Sequence, residues 1–289
     1  MTSADQKPRI PQALLFALLT TAGALYVAPR MFRKAFAPPQ RDASKSPSDM
    51  GLPEEQISLR SVTGTRLQGW FIPVGKPAPV VIVLHGWGGN ASLMLPLAPH
   101  LHAAGFHSLF IDARNHGRSE HDTFSSMPRF AEDLEVAADW VVKQERVTDV
   151  GVLGHSVGAG AAILSASRSD RYSAVVSVSS FAHPGEMMRE QMDRIPAPLL
   201  TALLEAVQRT IGYRFETFAP RVRLPQVEAP VLLVHGDSDP VVPISDLHEL
   251  SAVRPEAEVL VVRNGGHSDL APFEPYVDQI TGFFAKHLT

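Results

Sequence analysis

Val152-Leu153-Gly154-His155-Ser156-Val157-Gly158 is the stretch on which the fold turns. An apolar run enters it and an alanine-rich run with helical spacing leaves it, so it reads as a strand, a sharp turn and a helix in succession. Glycines two residues before and two after Ser156 suit such a turn, which must fit tightly between strand and helix. The turn leaves the Ser156 hydroxyl exposed above the edge of the sheet that the strand joins. A serine hydroxyl is a poor nucleophile without a base to take its proton. The stretch therefore gains meaning only if the rest of the chain supplies a sheet, a base and a carboxylate to hold that base.

On both sides the chain alternates short apolar runs with helical ones. Strands are expected at 57–62, 67–72, 80–84, 108–111, 150–153, 174–178, 231–234 and 259–262, and helices at 91–104, 128–144, 157–167, 243–253 and 273–287. The first two strands, separated by Thr63-Gly64-Thr65, form a hairpin. Val80-Val81-Ile82-Val83-Leu84 is apolar without interruption, as a strand covered on both faces should be. The order predicts an α/β fold: a doubly wound, mostly parallel sheet of eight strands with right-handed crossovers, within a domain spanning 54–289. Residues 182–229 break the alternation after the sixth strand and are too long for an ordinary connection. Met187, Met188 and Met192, then Leu199, Leu203, Val207 and Ile211 at four-residue spacing, predict two inserted helices with apolar faces. Such a pair closes the top of the domain, or forms a lid over an apolar substrate pocket, or does both.

With these elements in place the chain resembles the α/β-hydrolase superfamily in its serine-nucleophile branch, from about residue 57 to the C-terminus. That family sets nucleophile, acid and histidine in this chain order. Here the order is met by Ser156, then His235-Gly236-Asp237-Ser238-Asp239, then Gly265-Gly266-His267. The resemblance implies Ser156 as nucleophile and His267 as general base, with a carboxylate from the loop after the seventh strand holding the imidazole. Asp239, in the family-like pattern His-Gly-x-x-Asp-x-x-Val-Pro, is the expected acid, and Asp237 is its competitor. Leu84-His85-Gly86-Trp87-Gly88-Gly89 resembles the family's oxyanion loop, so the backbone N–H groups of Trp87 and Val157 are the expected donors to the developing oxyanion. His155 reads as a packing residue, and His85, His116 and His235 as structural hydrogen-bonding histidines. The segment 112–119 also recurs in form in the family and reads as scaffold.

Composition narrows the function classes. The 289 residues are 45% apolar and 19% charged, which excludes a disordered or low-complexity chain. A net charge of −4 leaves no basic footprint for nucleic acid. With no cysteine, thiol nucleophiles, redox pairs and cysteine-based zinc sites are ruled out, and no His-Glu-x-x-His or similar spacing suggests a metal. No cofactor is required by the expected chemistry. The charge is uneven: residues 1–45 carry +5 and the remainder −9. Within 1–39, residues 10–29 hold no charge and are flanked by Lys7 and Arg9, then by Arg30, Arg33 and Lys34. As a helix they would reach about 30 Å, the thickness of a bilayer core. They read as a single-pass membrane anchor, as an exported signal cut after Ala22-Gly23-Ala24, or as a soluble arm, joined through a polar linker at 40–53.

A serine at the turn argues against the family's aspartate-nucleophile chemistry and fits esters, thioesters or amides. The apolar insertion and Trp87 favour a carboxylic ester of small-molecule or lipid-like character. A thioesterase or lipid deacylase working at the membrane is the alternative within enzymes. A non-catalytic membrane-tethered binding module is the alternative outside them.

Overall fold

The computed structural model describes Pro38 and residues 40–289. The expectations for residues 10–29, including the Ala22-Gly23-Ala24 site, lie outside the described residues. Among the described residues no helix is long and apolar enough to cross a membrane.

All eight expected strands form one sheet: β1 (Glu55–Arg60), β2 (Arg66–Ile72), β3 (Ala78–Leu84), β4 (His107–Asp112), β5 (Val147–His155), β6 (Ala174–Val178), β7 (Val231–Gly236) and β8 (Glu258–Val262). Their spatial order is β1-β2-β4-β3-β5-β6-β7-β8. β2 pairs antiparallel with β1 and β4, and the remaining neighbours are parallel. The apolar runs are explained by two cores. In β3, Val80, Ile82 and Leu84 enter the core on one face while Val81 and Val83 enter the other, as a period of two demands.

The helices flanking the sheet are α1 (Ala98–Ala103), α2 (Met127–Val141), α3 (Val157–Ala166), α4 (Pro184–Gln191), α5 (Ala197–Ile211), α6 (Ile244–Val253) and α7 (Val277–His287), with single turns between them. α2 begins where the Ser126 hydroxyl accepts the Arg129 amide at 3.4 Å with Pro128 in the first turn. It buries Phe130, Leu134, Ala138 and Val141, spaced at three or four residues.

Three expectations are corrected, each by turn chemistry. The single helix at 91–104 is broken into Ala91–Met94, a 3-10 turn Leu95–Leu97 and α1, because Pro96 has no N–H to donate and its ring crowds the preceding turn. Pro275 divides 273–287 in the same way, into Leu270–Phe273, Glu274–Tyr276 and α7. β1 ends at Arg60 rather than 62, since the Ser61 and Gly64 amides donate to Thr65 and Ser61 in a turn where Gly64 has a φ of 85°.

The insertion lies between β6 and β7 as expected and contains α4 and α5. Leu200, Leu204, Val207 and Phe215 join the core that also holds α2 and α3. Residues 40–45 run across the domain: Asn90 Nδ2 donates to the Arg41 and Asp42 carbonyls at 3.0 and 3.2 Å, and the Ser44 amide donates to Ser92 Oγ at 3.1 Å. Ala43, Met50 and Leu52 then pack against the core on the opposite face from α2.

Candidate active site

β3, β5, β7 and β8 point the same way, so the loops after them leave the sheet along one edge. Those loops carry every residue that the sequence singled out for chemistry. Ser156 follows β5 directly and opens α3 with φ 56° and ψ −118°. For a residue with a side chain that conformation costs on the order of 1–3 kcal/mol. It is held because the Ser156 amide donates to the Val178 carbonyl at 2.8 Å and the flanking glycines let three backbones meet. A methyl group on Gly158 would stand 2.5 Å from the His85 carbonyl oxygen and 2.6 Å from that of Leu84, and one on Gly154 would overlap the Gly158 carbonyl.

His267 stands on the loop after β8, which is stitched to the loop after β7. The Asp237 amide donates to Val262, the Ser238 amide donates to Gly265, both at 3.0 Å, and the Asn264 amide donates to Asp237 Oδ1 at 2.7 Å. The two candidate carboxylates are thereby distinguished: Asp237 holds the backbone of the histidine loop, and Asp239 holds the imidazole. His267 Nδ1 lies 2.8 Å from Asp239 Oδ2, and Nε2 lies 2.9 Å from Ser156 Oγ. The network assigns the ring proton to Nδ1, donating to the carboxylate, and leaves the Nε2 lone pair to accept from the hydroxyl.

Asp239 is buried, with Oδ1 accepting the Val241 and Val242 amides at 2.8 and 2.9 Å. Burial alone would raise its pKa. The His267 hydrogen bond and the two amides outweigh that, and the carboxyl sits below its usual value.

The expected oxyanion donors lie on the two segments that border Ser156. Val157 is the first residue of α3, and first-turn amides have no acceptor within their own helix. The loop carrying Trp87 presses on the turn, since a methyl on Gly86 would come 3.0 Å from Ser156 Cβ. That loop closes through the Gly89 amide donating to the Gly86 carbonyl at 3.1 Å, with Gly88 at φ 68°. His85 secures it from below: Nδ1–H donates to the Gly86 carbonyl at 2.7 Å and Nε2 accepts the Ala113 amide at 3.1 Å. Burial pushes the pKa of His85 down to about 4, which keeps the ring neutral. His116 and His235 likewise donate to carbonyls, those of Arg114 and Val242, both at 2.9 Å.

Segment 112–119 is largely buried and held by polar contacts. Asp112 Oδ1 accepts the Ala91 amide at 2.7 Å, and the fully buried Arg114 pairs with Asp133 at 2.6 Å and Glu132 at 3.0 Å. Among the described residues no cluster of three or more histidine and carboxylate side chains is placed to hold a metal ion.

Two features were not legible beforehand. His155, read as packing, donates its Nε2–H to the backbone carbonyl of His267 at 2.6 Å, so the residue before Ser156 grips the main chain of the base. Burial pushes its pKa down to about 4. Second, Ser156 and His267 open on a cavity of about 420 Å³ whose wall includes Leu97, Leu153, Val178, Val277 and Ile280 together with Arg41, Ser268 and Asp269, and no residue of 182–229 lines it. The hint was the apolar stripe of the C-terminal helix, which reads equally well as plain core.

A family model described as serine aminopeptidase, S33, matches residues 75–221, and one described as TAP-like protein matches 209–286. The uncharacterised protein YfhR of Escherichia coli (strain K12) is 29% identical over 272 residues, covering 90% of this chain and 88% of its own. An uncharacterised protein of Mycobacterium tuberculosis (strain ATCC 25618 / H37Rv) is 30% identical over 219 residues, covering 74% and 72%. The esterase Pf2001 of Pyrococcus furiosus superposes with a TM-score of 0.69 at 21% identity, over 87% of this chain and 100% of the esterase.

Proposed function

Because this chain belongs to the serine aminopeptidase (S33) family of α/β hydrolases, we propose that it is a serine hydrolase cleaving carboxylic esters through an acyl-enzyme on Ser156. The observation that carries the reading is the hydrogen-bonded line from Asp239 through His267 to Ser156 at 2.8 and 2.9 Å. Ser156 Oγ attacks the ester carbonyl carbon while His267 Nε2 takes its proton. The carbonyl oxygen becomes an oxyanion facing the N–H groups of Val157 and Trp87, and Asp239 stabilises the imidazolium. Collapse of the tetrahedral intermediate breaks the bond to the alkoxy oxygen, which leaves as alcohol with the proton from His267. Water then attacks the acyl carbon, giving its proton to His267 Nε2. The second intermediate releases the carboxylic acid, and the proton returns to Ser156 Oγ.

The leucine, valine and isoleucine side chains on the wall of the cavity beside Ser156 support an ester with an aliphatic part. Assay of purified Ser156→Ala against p-nitrophenyl esters tests the reading: turnover should fall by roughly 10⁶-fold, and retained wild-type turnover would overturn it. The same proposal takes residues 10–29 as a membrane-directing segment. Full-length protein should then sediment with membranes and a chain lacking 1–37 should not.

A further inference from the structure

The cavity has a closed floor and an open mouth. Leu153, Val178, Val277 and Ile280 are buried, whereas Trp87 and Leu93, which line the same space, are 40% and 47% exposed. The floor residues Leu153, Val178 and Ile280 belong to the core on the α7 face of the sheet. The inserted helices α4 and α5 pack into the core on the other face. Arg41, Ser268 and Asp269 also line the cavity, but the four buried side chains are leucine, isoleucine and valine, so a ligand reaching them gains affinity by apolar contact.

The acyl group stays bonded to the enzyme through both halves of the reaction, while the alcohol must leave and water must enter. An enclosed apolar floor suits the first, and an open mouth suits the second. Accepting the ester-hydrolase reading above, we propose that the substrates are esters of straight-chain aliphatic acids. The acyl chain runs from Ser156 into the space beside α7, and Leu97, Val277 and Ile280 read its length. The insertion at 182–229 takes no part in that selection.

The test is the chain-length profile of kcat/KM for p-nitrophenyl esters from acetate to tetradecanoate, measured on the full chain. In the wild type kcat/KM should rise about fourfold per added methylene until the floor is reached, and then level. Val277→Phe, and Leu97→Trp at a half-buried position that tolerates bulk, should each lower the octanoate-to-acetate ratio at least tenfold. Val277→Ala should move the break to longer chains. Leu199→Gln, an exposed change on α5, should leave the profile superimposed on that of the wild type. A wild-type profile flat from acetate upward would overturn the proposal. So would an unchanged ratio in both bulky variants, a break moved by Leu199→Gln, or length dependence confined to the alcohol side in a parallel series of alkyl acetates. If Ser156→Ala is inactive and the profile is flat, this inference fails alone; if Ser156→Ala stays active, the ester-hydrolase reading fails with it.

Discussion

Asp239→Asn alters one charge and exchanges an acceptor for a donor at the one atom that faces His267. In the wild type Oδ1 accepts two amides, from Val241 and Val242, and Oδ2 accepts from His267 Nδ1 at 2.8 Å. An asparagine oxygen still receives both amides, so the loop keeps its shape. Its NH2 group then faces Nδ1, and two donors cannot share that gap. The ring answers by moving its proton to Nε2, where a donor confronts the Ser156 hydroxyl and no lone pair remains to take its proton. The imidazolium formed during attack also loses its counter-charge. Loss of both functions lowers kcat by roughly 10⁴ in the comparable substitution of a serine protease, or about 5.4 kcal/mol of transition-state stabilisation. Asp237→Asn is the control, because its Oδ1 acts only as an acceptor, of the Asn264 amide at 2.7 Å and the Ser238 hydroxyl at 3.0 Å, and an amide oxygen accepts as well. Its kcat should stay within about threefold, the scale of one weakened hydrogen bond. Stopped-flow release of p-nitrophenol from the butyrate ester, with Tm measured on the same samples, supplies both numbers. A folded Asp239→Asn retaining more than a tenth of the wild-type kcat, or an Asp237→Asn that falls as far, would refute the assignment.

Three further substitutions probe the frame around this line. His155→Phe fills the same space without the N–H that holds the His267 carbonyl, so kcat should fall about 10- to 100-fold, the range for an unpaired buried acceptor; His155→Gln, whose amide N–H reaches a similar position, should recover most of it, and equal losses in both would count against the hydrogen bond. Gly158→Ala places a methyl against two main-chain oxygens that cannot yield and should destabilise the fold by about 3 kcal/mol, read as a shift in the denaturation midpoint. Burial raises the pKa of Asp246 to about 6, helped by Glu249, Glu190 and Glu186, while it accepts the Ala182 amide at 2.6 Å. The folded state therefore holds a proton that the unfolded chain has lost, and stability falls as pH rises from the ordinary carboxylate range through about 6. Asp246→Asn keeps the acceptor and removes the charge, so its Tm should exceed that of the wild type at pH 8 and match it near pH 3.5; a constant difference across that range would contradict the linkage.

Much of this arrangement could be read from residue types alone, and the exceptions have physical causes. Strand positions were legible because a sheet buried on both faces writes uninterrupted apolar runs such as Val80–Leu84. The turn at Ser156 was legible because only glycine fits at 154 and 158, where backbone meets backbone. Asp237 and Asp239 could not be separated by type, since both follow β7 within three residues; the hydrogen bonds of Val241 and Val242 decide which carboxylate turns toward the imidazole. His155 escaped notice because its role depends on a carbonyl 112 residues away. Whether the inserted helices close the domain or cover a pocket stays open in the sequence for a related reason: amphipathic faces announce that they pack, not against what. Pro96 and Pro275 mark breaks that hydrophobic periodicity passes over.

The central claim is that Ser156 is a nucleophile activated by His267. Reaction of the folded full-length protein with a fluorophosphonate probe, followed by peptide mass spectrometry, tests it without knowledge of the substrate. The account predicts a single adduct on Ser156 that vanishes in His267→Ala. A folded protein that takes no label, or takes it on another serine, would contradict it.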